Sequence, residues 1–296
     1  MSETRIKFHT YLRGIVLIGI SLLLFKLLLT GNISLFISPK LYPLLAVSIL
    51  LLMIVGIIQI FFGTSETTEV SCNCCAEHLP PKNTFRSFIY YSFFIIPVIT
   101  GLLFSDHTLG SSIAKNREIQ FVSSQAEAQQ DSLSIQSNDQ TQNTAAVNDT
   151  YSTSQQYMTQ KEYDRLQQTL FQEKTIKVDD KRYVPTMGIL ENHLDQFIGK
   201  EVELTGFVYR EKDFSANQVV LARFVITCCI ADASVDGMML QGNVAGLKND
   251  SWIKVKGKIT KTTFHANPIP ELTVTSAQEI PAPSNPYVYD IGIKLN

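Results

Sequence analysis

Five cysteines among 296 residues collect into two tight groups. The first is Cys72-Asn73-Cys74-Cys75, with His78 close behind. The second is the adjacent pair Cys228-Cys229, with Asp232 three residues on. Thiolate and imidazole are preferred ligands for Zn²⁺ and other soft or borderline metals, so both groups point to metal or thiol chemistry. In the first group the adjacent Cys74 and Cys75 cannot easily serve one ion together. Cys72, one of that pair, and His78 make a ligand set with an open position, which suits transfer or sensing better than a closed structural site. A palmitoylated juxtamembrane group or an inert loop would present the same residues.

Cys228-Cys229 follows Arg223-Phe224-Val225-Ile226-Thr227. Neighbours on a strand face opposite sides. Phe224, Ile226 and Cys228 would then form the apolar face, with Cys228 buried as a small core residue and Cys229 outward. If the strand ends before the pair, both sulfurs can turn toward one ligand. A vicinal disulfide, a metal or metalloid site with Asp232, or a partner contact then become open. There is no CxxC motif, so thioredoxin-like exchange is not expected. The expected cofactor is zinc or another soft divalent metal.

The elements that position these groups divide the chain. Residues 1–105 are strongly apolar and residues 106–296 polar. Three apolar runs stand out: Gly14–Thr30, Leu41–Phe62 and Phe88–Phe104. A spanning helix needs about 20 apolar residues. The second run meets this. The first carries Lys26 near its far end, where a lysine can snorkel to the interface. The third is short and contains Pro97. Two to three transmembrane helices are therefore expected, with the cysteine-containing loop 63–87 between the second and third. No small-x-small cleavage site follows the first run, which reads as an uncleaved helix. Arg5, Lys7 and Arg13 precede it, and Lys82 and Arg86 lie in the 63–87 loop, whereas the first loop has only Lys40. The positive-inside rule then places the N-terminus in the cytoplasm. Three spans put the C-terminal domain outside the cell membrane, and a re-entrant third run would return it to the cytoplasm.

Residues 106–158 form a polar linker. From Ser123 onward it is rich in Ser, Gln, Asn and Thr, which cannot bury enough surface to offset chain entropy. From 159 a soluble domain follows. Thr159 reads as an N-cap with Glu162 completing a capping box. Tyr163, Leu166, Leu170 and Phe171 give a helical stripe to about Lys174. Strands are then expected over Val202–Val208, Val219–Thr227, Gly237–Gln241, Ile253–Ile259 and Leu272–Ile280, with one or two helical turns over Asn243–Lys248. Gly206 and Gly257 sit mid-strand, where a glycine marks a bend or bulge. The order β-β-β-α-β-β with such bends suggests a small all-β OB-like barrel. Lys254, Lys256 and Lys258 form a stripe that a solvated strand face explains. A net charge of −2 gives no basic footprint for nucleic acid.

Several segments together resemble the YcgQ-like bacterial membrane proteins over nearly the whole length. These are Leu29-Thr30-Gly31-Asn32-Ile33 with Ile37-Ser38-Pro39, Ile198 to Val208, Arg223 to Ala233, and Asn285-Pro286-Tyr287-Val288-Tyr289. The resemblance implies a polytopic YcgR-like permease as partner and a connection to zinc homeostasis. Family members carry a His-rich Cys-x-Cys loop. This chain keeps Cys72-x-Cys74 and His78 but lacks the His-rich run, which weakens a high-capacity metal role for the loop. The expected function is a non-enzymatic accessory subunit of a membrane permease in zinc-type metal handling. A membrane-anchored thiol redox protein using Cys228-Cys229, and an OB-fold envelope binding protein, are the alternatives.

Overall fold

The computed structural model describes residues 3–64, 84–103, 110–114, 157–210, 214–215, 217–264 and 267–294. Two compact units result: Met1–Ile37 with Leu41–His107, and Ser38–Lys40 with Thr108–Asn296. Cys72, Cys74, Cys75 and His78, and nearly all of the polar linker, lie outside the described residues.

The first unit is helical: α1 (Glu3–Thr30), α2 (Tyr42–Thr64) and α3 (Thr84–Leu103). Two stretches, Phe8–Thr30 and Pro39–Gly63, are long and apolar enough to cross a membrane, and Ser87–Leu103 is a shorter apolar helix. The unit is apolar outside, the reverse of a water-soluble bundle. Phe61, Phe88, Phe93 and Leu103 are exposed, which in water would leave large apolar patches bare. Between α1 and α2, Gly14, Gly56 and Gly63 let the backbones approach. A Cβ on Gly14 would lie 2.8 Å from the Gly56 carbonyl, and one on Gly63 would lie 2.9 Å from the Tyr11 nitrogen. Small residues at such seams are how helices associate in lipid, where apolar burial drives nothing. Ser21 Oγ adds a bond to the Ile49 carbonyl at 3.0 Å.

Two polar contacts join α1 to α3. Lys26 does not simply reach for the interface: its Nζ donates to the Leu102 carbonyl at 3.0 Å, satisfying a last-turn acceptor of α3. His9 is buried, and its Nδ1 lies 3.1 Å from the Tyr91 hydroxyl with the rings stacked.

In the second unit α4 (Gln160–Gln172) begins at the expected box. Glu162 N–H donates to Thr159 Oγ1 at 3.3 Å, and Thr159 N–H donates to Glu162 Oε2 at 2.9 Å. A second helix, α5 (Tyr183–Asn192), carries no period that the sequence reading used, because it is buried on most sides: Tyr183, Met187, Ile189 and Leu190 are all inside.

The strands are β1 (Met158–Thr159), β2 (Thr175–Lys177), β3 (Glu201–Tyr209), β4 (Gln218–Ile226), β5 (Ser234–Gln241), β6 (Trp252–Phe264), β7 (Asn267–Ile280), β8 (Tyr287–Tyr289) and β9 (Ile293–Lys294). β1 and β9 pair alone. The others form a mixed sheet in the order β2-β3-β6-β7-β5-β4-β8, and β3 pairs a second time, with β4, at Phe207↔Ala222 to Tyr209↔Val220. Alternate residues supply one continuous core: Val202, Leu204 and Val208 of β3, Leu221 and Val225 of β4, Met238 and Leu240 of β5, Ile253, Val255 and Ile259 of β6. At Gly206 and Gly257, expected to mark a bend or bulge, neighbouring backbone comes close. A Cβ would stand 2.6 Å from the Ala222 carbonyl and 2.5 Å from the Thr273 carbonyl. The β6–β7 register shifts at Lys256/Gly257, a bulge.

The expected helical turns over Asn243–Lys248 are replaced by a turn-rich connection. Positive φ at Gly242 (132°) and Asp250 (65°) bounds the segment, within which Leu247 N–H donates to the Val244 carbonyl at 3.1 Å as a single turn. The lysine stripe is a salted strand face: Lys254 and Lys256 lie 2.5 and 3.1 Å from Glu203. β8 pairs parallel to β4 and buries a second face. There Phe207 stacks on Phe224 at 5.2 Å, and Tyr287 meets Phe224 edge-on at 6.3 Å.

Candidate functional site

β4 stops at Ile226, two residues before the cysteines. This corrects the expectation that Cys228 is a core residue. Cys228 is exposed and Cys229 partly buried, both as free thiols. The physical reason is the turn that follows, a single 3₁₀ turn over Ile230–Asp232.

Asp232 builds that turn. Its Oδ1 accepts from Thr227 N–H at 3.0 Å, and its Oδ2 accepts from Cys228 N–H at 2.8 Å and Cys229 N–H at 3.1 Å. The Cys228 thiol also donates to Oδ2. In return, Asp232 N–H donates to the Cys229 carbonyl at 3.0 Å, which closes the turn. One ligand atom each from Cys228, Cys229 and Asp232 lies within 4.8 Å of the others. Two sulfurs and a carboxylate fit a soft or borderline metal by donor type.

The electrostatics follow from the same contacts. Burial pushes the Asp232 carboxyl up, but the donors from Cys228, Cys229 and Thr227 outweigh it and hold it below its ordinary value. Cys228 moves the other way. Its hydrogen bond to the Asp232 carboxylate, then burial and the nearby negative charge, push the thiol up to about 11. A redox nucleophile needs the opposite, a lowered thiol.

A second polar group escaped the sequence reading. Arg223 of β4 has a side chain 1% exposed; its Nη1 donates to Asp180 Oδ1 at 2.8 Å and to the Thr205 carbonyl at 3.3 Å. Its guanidinium lies 5.1 Å from the Trp252 ring and 5.9 Å from the Tyr183 ring. Asp236 stands opposite it in the β4–β5 register and is also buried. Arg223 Nε and Nη2, Asp236 Oδ1 and the Tyr183 hydroxyl are buried without a protein partner. Burial pushes Asp236 up to about 7, against one backbone bond from Gly237. Burial likewise raises the Tyr183 phenol well above its ordinary value, with the Asp236 charge adding to it. The sequence signal for this group was an arginine inside an otherwise apolar strand.

Elsewhere in this unit His193 is a packing residue: Gln167 Nε2 donates to its Nε2 at 2.6 Å and Phe171 meets it edge-on at 5.4 Å.

Comparison with known proteins covers most of the chain. The DUF1980 N-terminal domain matches residues 12–120 and the DUF1980 C-terminal domain matches residues 151–290. The chain is 28% identical to the UPF0703 protein YcgQ of Bacillus subtilis, over 94% of this chain and 98% of that one. It is 31% identical to a Streptococcus mutans protein named as a candidate subunit of a two-component membrane permease complex, over 39% of this chain and 43% of that one. No solved structure matches.

Proposed function

We propose, from the premise that this chain belongs to the DUF1980 family through both of its domains, that it is an accessory subunit of a membrane permease that handles a zinc-type metal ion. The observation that carries the metal part is the turn at Cys228, Cys229 and Asp232, which gathers three donor atoms on an exposed surface. The permease part draws on the Streptococcus mutans relative named for such a complex and on two helices apolar and long enough to cross a membrane. The partner is a polytopic permease of the YcgR-like kind. The N-terminus is cytoplasmic, and the C-terminal unit lies outside after a third pass through Thr84–Leu103. Cys72, Cys74, Cys75 and His78 form a second, cytoplasmic metal-binding loop.

An OB-like reading of the second unit is supported by the β3–β4 pairing, which links the two ends of the strand series β3-β6-β7-β5-β4, and by the bulge at Gly257. The protein carries no reaction of its own in this reading. The raised Cys228 thiol counts against a thiol redox enzyme.

Cysteine accessibility labelling in intact cells tests the topology. Cys228 and Cys229 should react with a membrane-impermeant maleimide before lysis, and Cys72, Cys74 and Cys75 only after it. Labelling of both groups only after lysis would refute the outside placement. Deleting the chain should lower metal uptake or efflux through the permease. The Cys228→Ser/Cys229→Ser variant should reproduce that loss, and normal transport by it would remove the turn from the metal path.

A further inference from the structure

We propose, resting on the metal-handling reading above, that Cys228 and Cys229 form a two-sulfur half-site whose remaining metal ligands come from the permease. Asp232 shapes this half-site and is not a ligand in it.

The geometry of Asp232 carries the argument. A carboxylate oxygen has two lone pairs. Asp232 Oδ2 already takes two backbone N–H groups, at 2.8 and 3.1 Å, and the Cys228 thiol. Oδ1 takes the Thr227 N–H at 3.0 Å. To coordinate an ion through Oδ2 the carboxylate would have to surrender backbone bonds that define the turn; Oδ1 keeps one lone pair, and a ligand there would leave room for a single imidazole in a cobalt titration. Adjacent cysteines do not easily share an ion, but this turn already holds the two sulfurs within 4.8 Å of one another without any such movement.

Zinc takes four ligands, so two thiolates fill half of its shell. Among the described residues, no other group brings three His, Cys, Asp or Glu donors together. His193 is already engaged by Gln167 and Phe171. The exposure of Cys228 leaves the open half facing solvent. Binding replaces two thiol protons, which pass to water, with two metal–sulfur bonds. An ion held in this way leaves by ligand exchange onto imidazole, thiolate or carboxylate groups of an approaching surface. A closed four-ligand site would retain it. The arrangement is that of a hand-over point, and the partner it fits presents two such donors.

Cobalt(II) added to the full-length chain in detergent, under reducing conditions and with Cys72, Cys74 and Cys75 replaced by serine, tests this. A sulfur-to-cobalt charge-transfer band should appear and vanish in the added Cys228→Ser/Cys229→Ser variant. Imidazole, standing in for the partner's donors, should shift the d–d bands as it takes two open positions. Asp232→Asn should keep the same band positions with affinity lowered by up to about tenfold. Bands indifferent to imidazole, together with a changed spectrum in Asp232→Asn, would overturn the half-site while leaving the metal reading intact. If Asp232→Asn disrupts the turn, the imidazole titration of the unaltered turn still decides: two imidazoles per cobalt support the half-site, and one or none overturns it. No charge-transfer band from Cys228 and Cys229 would overturn both readings.

Discussion

Asp232 and Asp236 lie four residues apart, one in the exposed turn and one at the start of the next strand, and their surroundings drive them in opposite directions. Asp232 gathers donors from three backbone N–H groups and a thiol, and stays below its ordinary value although burial opposes this. Asp236 has one backbone donor, and burial lifts it to about 7. The difference shows which force organises each region. Hydrogen bonds to the charged form order the turn, whereas desolvation sets the state of the acid beneath it. The cysteine turn is thus built around a permanent negative charge at neutral pH. The interior beside it holds an arginine and an acid that changes charge in that range.

The largest effect should come from removing the buried cation. Arg223→Ala deletes a buried side chain packed against Trp252 and Tyr183 and leaves half-exposed Asp180 and the Thr205 carbonyl without their donor, and should cost about 3–4 kcal/mol. Trp252, the single tryptophan of the chain, packs against the guanidinium and reports the unfolding by fluorescence. A loss below about 1 kcal/mol would mean that the interior is polar only in appearance.

Asp236→Asn comes next. The folded-state value of Asp236 lies above its ordinary 3.8. The protonated carboxyl therefore contributes stability that is complete below about pH 4 and is lost as pH rises through about 7. Denaturation at pH 5 and pH 8 should show the wild type losing about 2–4 kcal/mol over that interval from this group. The asparagine variant should lose correspondingly less. An unchanged pH slope in the variant would erase the contrast between the two aspartates.

On the exposed side the effects are smaller. Asp232→Ala removes the cap and should cost about 1 kcal/mol. It should also bring the Cys228 thiol down from about 11 toward its ordinary 9.0, read as faster alkylation of Cys228 near pH 9. Alkylation at the wild-type rate would show that the carboxylate does not hold the thiol proton. Smallest of all, Lys261→Ala breaks an ion pair 2.9 Å long whose side chains are 42% and 80% exposed. It should change thermal stability by less than about 0.5 kcal/mol. A larger change would show that this exposed pair is coupled to the core.

Much of the fold was legible where a local rule suffices. The Thr159–Glu162 box fixed the start of α4, and alternation fixed β3 and β6, because capping and pleating act within a few residues. The mid-strand Gly257 marked its bulge for the same reason. The reading failed where tertiary contacts decide. α5 is buried nearly all round, so it shows no amphipathic stripe. β8 is three residues long and exists because it pairs with β4. Cys228 looked like a core residue only if β4 continued, and a carboxylate four residues later ends that strand by capturing the backbone N–H groups. Arg223 was visible as a polar residue in an apolar strand, but Asp236 fell just before the expected strand Gly237–Gln241, and their meeting depends on the β4–β5 register.

The central claim is that the cysteine turn presents metal for a permease, and the most direct test is the zinc content of the tagged full-length chain isolated with its partners from native membranes. The account predicts a polytopic permease in stoichiometric amount and bound zinc that falls by the share held at the turn when Cys228 and Cys229 are both replaced by serine. Zinc unchanged by that replacement, or a chain isolated with neither permease nor metal, would contradict it.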